Sequence, residues 1–338
     1  MMTRAKAESW LYPTSDGLYC AAGKFFIDPP RPVDRALITH GHADHARSGH
    51  GHVLATRETI EIMKVRYGPQ SAGAFQIAEL GAQTSINGVA VRFEAAGHIL
   101  GSAQIVLEHG GCRVVVSGDY KRSADPTCRP FTLVPCDVFV TEATFALPVF
   151  RHEPAGAEAR HLIRSITEQP ERTHLLGVYG LGKCQRMIAL LRAEGFDAPI
   201  YLHGALVHLC ALYQNLGIDL GDLRAVAEEK RADFKGVLVM CPPSALADRW
   251  SRRFADPVTA FASGWMRVKG RARQRGVELP LIVSDHADWP ELLATIEETG
   301  ARDIWVTHGR EDALVYQLEA MGRRAKALAL VGFEDEAD

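Results

Sequence analysis

Short apolar runs closed by glycine or polar turns recur through the first part of the chain and predict strands. They fall at Leu18–Cys20 and Lys24–Ile27, read as a hairpin, then at Ala36–Thr39, Val89–Glu94, Ala103–Leu107, Arg113–Ser117 and Val138–Thr141. Pro and Gly punctuate Pro148–Pro154, and the pattern then changes to strand–helix alternation. Helices are predicted over Ala157–Glu168, Lys183–Glu194 and Leu206–Leu216, with strands at His174–Val178, Pro199–Leu202 and Gly236–Met240. Such alternation implies a small parallel sheet flanked by helices. Strand character returns at Leu281–Ser284 and Asp303–Thr307. The chain therefore reads as α/β, with residues 151–270 inserted into one discontinuous domain made of 1–150 and 271–338.

The polar positions that interrupt this pattern are concentrated where strands stop. Ala36–Thr39 runs directly into His40-Gly41-His42-Ala43-Asp44-His45, three imidazoles and a carboxylate within six residues. His40 and His42, two apart, can grip one cation from an extended loop, while Asp44 and His45 can turn to a second. His98, Asp119 and His308 each close a predicted strand beside a glycine-containing turn. A lone His at a strand end is usually structural; three such ends together with the hexapeptide point to a metal site built on a rigid sheet.

The hexapeptide, His98 and Asp119 resemble the second, third and fourth motifs of the metallo-β-lactamase fold, and Asp28 in Phe26-Ile27-Asp28-Pro29 resembles the first. Glu142, His286 and His308 are similar to motifs A, B and C of the β-CASP nucleases. Tyr179–Arg186 (YGLGKCQR) and residues 284–289 (SDHADW) look most like the bacterial ligase-associated DNA-repair exonucleases. The resemblance covers nearly the whole chain. It implies a metallo-β-lactamase αββα sandwich with an inserted α/β β-CASP domain, two divalent metal ions, and a functional association with a DNA ligase and helicase. Asp28 would buttress the ligands from behind.

Within that resemblance, His40, His42 and His98 would hold one metal and Asp44, His45 and His308 the other, with Asp119 bridging. The donor set suits Zn²⁺ and is compatible with Mn²⁺. Asp44 would also orient the attacking water. His286, held protonated by Glu142, would be the general acid for the leaving oxygen. For substrate, Lys183 and Arg186 follow the Gly180-Leu181-Gly182 turn at a predicted helix N-terminus, a phosphate-binding arrangement. Residues 249–275 hold eight Lys or Arg, Arg271 and Arg273 among them, against one acid, with Trp250, Phe254, Phe261 and Trp265 interleaved. Cations could track a phosphate backbone there and rings could stack bases of a single strand; core aromatics beneath a solvated basic face would look the same.

Composition narrows the reading. A net charge of −3 excludes a generally basic nucleic-acid coat, so any such surface must be local. The seven cysteines are dispersed without a Cys-x-x-Cys pair, as expected of reduced thiols in a cytoplasmic protein. No membrane-spanning run or secretory h-region is seen, and the acidic Glu334–Asp338 end reads as a solvated tail. The expectation is a two-metal DNA exonuclease in repair, single-stranded DNA favoured, with an RNA-processing exo- or endoribonuclease as the alternative. His308 leans toward RNA, because a His at that position is common in RNA-processing relatives. A small-molecule metallo-hydrolase would not need the insert, Glu142 or His286, and a non-catalytic binding module would not need every ligand position filled.

Overall fold

The computed structural model describes residues 5–228, 233–328 and 330, so the acidic end at 334–338 lies outside the described residues. The chain forms two compact units. One runs up to Pro148 and resumes at His286; the other is Val149–Asp285. The second boundary lies later than the expected 270, and the reason is a strand pairing described below.

Six strands form the first sheet in chain order: β1 (Leu11–Thr14), β2 (Gly17–Cys20), β3 (Phe25–Ile27), β4 (Arg35–Leu37), β5 (His50–Ala55) and β6 (Ala72–Ile77). The first three are antiparallel, the rest parallel. Helix α1 (Arg57–Tyr67) begins on a Thr56 hydroxyl that caps the Thr59 amide. The second sheet takes β7 (Gln83–Ile86), β8 (Val89–Ala95), β9 (Ala103–His109), β10 (Cys112–Val116) and β11 (Val138–Ala143). Alternation along β8 buries every second residue, as a half-buried strand requires, whereas β11 is buried throughout and lies mid-sheet.

The inserted unit contains α2 (Ala155–Glu168), β12 (His174–Gly177), α3 (Lys183–Ala193), β13 (Ile200–Leu202), α4 (Gly204–Asn215), β14 (Leu223–Ala225), β15 (Leu238–Cys241), β16 (Val258–Ala262), α5 (Lys269–Arg275) and β17 (Leu279–Leu281). Its six strands make an all-parallel sheet in the order β14-β13-β15-β12-β16-β17. Because β17 pairs with β16, residues 271–285 stay with the insert. The strand expected over 281–284 ends at Leu281, and the chain from 282 to 288 is irregular.

The first unit is then completed by α6 (Trp289–Glu298), β18 (Asp303–Gly309), α7 (Glu311–Ala320) and β19 (Arg324–Ala327). Strand β18 lies parallel to β11, which seats the end of the chain beside residues some 160 positions earlier, Val140 against Trp305. Leu18, Phe25 and Leu37 of one sheet pack against Val91, Ile105 and Val116 of the other in a buried core. The outer faces are covered by α1 on Ile38 and Val53, and by α6 and α7 on Val115, Phe139 and Ile304. This unit is a mixed α/β sandwich, and in sequence the α/β insert falls between β11 and β18.

Candidate metal centre

The expected ligands before the insert follow buried strands where the chain turns, and His308 is the penultimate residue of β18. Beyond β4 the His42–Ala46 stretch closes on itself, with the His45 and Ala46 amides donating to the His42 carbonyl. That turn brings the His45 ring back against His40, 4.1 Å between centroids. After β8, the Ser102 hydroxyl accepts from the amides of His98 and Ile99 at 3.0 and 3.2 Å and fixes the His98 turn. Gly118, before Asp119, has φ +56, and a Cβ there would lie 2.7 Å from Thr39 Cβ. Gly309, after His308, has φ +99, and its Cβ would meet the Ala143 backbone at 2.6 Å. Glycine is therefore required at both positions, by conformation and by space. His308 itself has φ +60, a left-handed backbone uncommon for a non-glycine residue.

The side chains converge in three groups: His40, His42, His98 and Asp119; Asp44, His45 and His308; and Asp119, Glu142 and His286. His42 Nδ1 lies 3.2 Å from His40 Nε2 and 3.1 Å from His98 Nε2. Asp119 Oδ2 is 3.4 Å from His40 Nε2 and 3.5 Å from His45 Nε2, so one carboxylate faces both ligand groups. Its Oδ1 lies 3.7 Å from His308 Nδ1. Asp44, the most exposed member, is 3.5 Å from His45 and 3.9 Å from His308. Behind them Asp28 Oδ2 accepts from the Thr39 hydroxyl at 2.5 Å and pairs with His45 Nδ1 at 2.8 Å, while Oδ1 takes the Thr39 amide at 2.8 Å. Thr39 gave no signal in sequence, since a hydroxyl at a strand end is unremarkable until its partner is seen.

The electrostatics favour a cation here. Burial drives His40 well below 6.5 and the charge on His45 adds to this, so His40 is a neutral imidazole with a lone pair to donate. Burial opposes charge on His45 too, yet Asp44, Asp119 and Asp28 together raise it to about 10. Burial likewise opposes ionisation of Asp119, but the surrounding His308, His45 and His286 hold it well below 3.8. A carboxylate field strong enough to keep a proton on His45 also favours a metal ion in that proton's place. A neutral His40, further imidazoles packed around it and acids among them fit two divalent cations.

His286 pairs through Nδ1 with Glu142 Oε2 at 2.9 Å, and Glu142 Oε1 accepts the Tyr120 amide at 2.7 Å. The His286 ring lies against His98, 4.6 Å between centroids. Lys121, only 4% exposed, donates to the His286 carbonyl at 3.3 Å. Sequence reading passed over this lysine because it follows Asp119 in a turn, where a cation normally reaches solvent.

The expected substrate residues divide. Lys183 and Arg186 are 2% and 3% exposed, so neither presents its charge to a phosphate. Lys183 Nζ pairs with Asp285 Oδ2 at 2.7 Å, and an Arg186 guanidinium nitrogen donates to the Ser284 carbonyl at 2.5 Å. The amide of Gly182 at this helix start donates to the Gln185 side chain. Arg271 and Arg273 are exposed, but the aromatic residues among them are not stacking platforms. Phe254 and Phe261, the latter within β16, are buried, Trp250 and Trp265 are half-buried, and Arg271 and Arg275 lie over Trp265 and Phe261 at 4.0 and 4.9 Å. Among the described residues no helix is long and apolar enough to cross a membrane.

Comparison with known proteins agrees with this geometry. The chain is 27% identical to a protein named probable DNA ligase from Opitutus terrae, covering 94% of this chain and 31% of that one. It is 29% identical to endoribonuclease ysh-1 of Neurospora crassa, over 66% of this chain and 31% of the relative. It is 28% identical to ribonuclease TTHA0252 of Thermus thermophilus, over 72% and 63%. The chain thus spans about a third of the length of the first two and under two thirds of the last. A protein of unknown function from Enterococcus faecalis V583 shares the fold at a TM-score of 0.59 and 12% identity, over 89% of this chain and 80% of that one. Residues 19–163 match the model of the metallo-beta-lactamase superfamily. The chain carries a metallo-β-lactamase domain, and its relatives are β-CASP nucleases and a DNA ligase-like protein.

Proposed function

We propose that the chain is a two-metal phosphodiesterase that trims DNA ends, most readily single-stranded ones, in repair. The observation that carries the reading is one carboxylate, Asp119, facing two His/Asp groups while His286, paired to Glu142, stands beside it. His40, His42 and His98 would hold one ion, Asp44, His45 and His308 the other, and Asp119 both. The bound pair would neutralise phosphoryl oxygens and make water a stronger acid near neutral pH; Zn²⁺ suits the imidazole share and Mn²⁺ the carboxylates. Asp44, with its side chain reaching solvent, orients the attacking water. His286 faces Glu142 through Nδ1, so Nε2 is the nitrogen that hands a proton to the leaving oxygen. The exposed cations Arg249, Arg252, Arg271 and Arg273 offer the local positive surface that a polyanion needs.

DNA is favoured because the relative named a probable DNA ligase matches over 94% of this chain, against 66% and 72% for the two named as ribonucleases. The RNA reading rests on those relatives and on His308. End-labelled single-stranded DNA and RNA, incubated with the protein under Zn²⁺ or Mn²⁺, decide the matter. We expect stepwise shortening of DNA. Selective shortening of RNA would move the protein to RNA processing, and hydrolysis of neither would sink the nuclease reading. Association with a ligase and helicase in repair follows from the DNA reading and is tested by co-purification.

A further inference from the structure

We propose that Lys183 and Arg186 are positioning residues for His286, acting through Asp285. This rests on the reading of His286 as the general acid. Residues 282–288 belong to no helix or strand; besides the Ala287 amide, which donates to the Tyr120 carbonyl at 2.6 Å, buried side-chain cations grip the segment that carries the acid. Arg186 donates to the Ser284 carbonyl at 2.5 Å and reaches Asp285 Oδ1 at 3.3 Å, Lys183 holds Asp285 Oδ2 at 2.7 Å, and Lys121 takes the His286 carbonyl at 3.3 Å. Ser284, Asp285 and His286 are all 3% exposed or less.

Desolvating two cations and a carboxylate is costly, and an apolar packing of similar volume is often as stable or more so. What a buried charge cluster supplies that apolar packing does not is direction: a carboxylate gripped on both oxygens and a carbonyl gripped beside it leave the backbone one path. Asp285 is joined to His286 by a peptide bond, so a held Asp285 backbone limits the positions open to the His286 Cα. Glu142 then sets the ring. A displacement of about 1 Å at a proton donor can cost on the order of 10²-fold in rate.

The test compares an oligonucleotide, whose leaving oxygen needs a proton, with bis(p-nitrophenyl) phosphate, whose leaving group does not. Arg186→Lys keeps the charge but not the planar fork, and Lys183→Met combined with Asp285→Asn removes the Lys183–Asp285 ion pair while leaving Arg186 on the Ser284 carbonyl. Each should lower kcat on the oligonucleotide by about 10–10²-fold with KM unchanged, and change hydrolysis of the small ester less than about threefold. Built into a His286→Ala background, neither should lower oligonucleotide turnover further, because residues acting through one group are not additive. Thermal melting checks folding, and if the paired variant melts at assay temperature Arg186→Lys alone decides. Equal losses on both substrates, a raised KM with kcat intact, or an added loss in the His286→Ala background would each overturn the positioning role. Loss of both substrates alike in His286→Ala itself would overturn the acid assignment and the inference with it.

Discussion

Asp28 shows how much one side chain can determine at this centre. It sits in a left-handed backbone, φ +43, at the end of β3, and its two oxygens take the Thr39 amide, the Thr39 hydroxyl and His45 Nδ1. Removing it would free the His45 ring and the approach to His40 together. Asp28→Ala should weaken metal binding by about 10–100-fold, read by competition with a chromogenic chelator; unaltered affinity would show that His45 is oriented without it. Asp119 is the more severe case, since both ligand groups face it. Asp119→Ala should cut turnover on single-stranded DNA by at least about 10²-fold at saturating metal and reduce the ions bound per chain. Near-normal turnover would remove Asp119 from the shared position. Asp119 was legible in the sequence because carboxylates and imidazoles at apolar strand ends seldom coincide, whereas Asp28 was legible only through the resemblance of its segment to the first motif. Lys183 and Arg186 misled for the opposite reason: a Gly turn before a helix marks a phosphate cradle only if the cations beyond it stay in solvent, and nothing in a linear pattern reports burial.

Among the elements, those with clean periodicity could be read and those without it could not. The alternating β8 and the apolar β10 and β11 announce themselves, whereas β6 (Ala-Gly-Ala-Phe-Gln-Ile) has no clean alternation and is largely exposed, and β5 opens on His-Gly-His. Strand β16 was hidden inside the basic segment at 249–275, because its charged neighbours dominated the local composition. His174, at the start of β12, gives the insert a measurable property. It is fully buried, its Nε2 meets the Ser165 hydroxyl at 2.9 Å, and burial, then the nearby charge of Arg172, lowers its pKa below 6.5. A folded state that resists protonation binds fewer protons than the unfolded chain, so this stability is fully present above about pH 6.5 and declines as the pH falls toward the lowered folded value. Chemical denaturation at pH 7.5 and pH 5.5 should show that decline, and His174→Gln should flatten it. An unchanged pH dependence in the variant would place the sensitivity elsewhere.

For the molecule as a whole, charge distribution matters more than its sum. The net charge is −3, yet Arg249, Arg252, Arg253, Arg267, Lys269, Arg271 and Arg273 are all exposed on the insert. Reversing Arg249, Arg252 and Arg273 to Glu, which spares the arginines lying over Trp265 and Phe261, removes three cations. If all three meet phosphates, the slope of log affinity against log salt for single-stranded DNA should flatten by about 2, and hydrolysis of a small phosphodiester should not change. An unchanged slope would put the polyanion on another face. The placement of His308 has a consequence of a different kind. The second ligand group takes Asp44 and His45 from early in the chain and His308 from near its end, with the whole insert in between. During synthesis the early ligands leave the ribosome long before the last one exists. A nascent chain that has not reached residue 308 thus lacks a complete second ligand group, and one that stops before residue 286 lacks His286 as well.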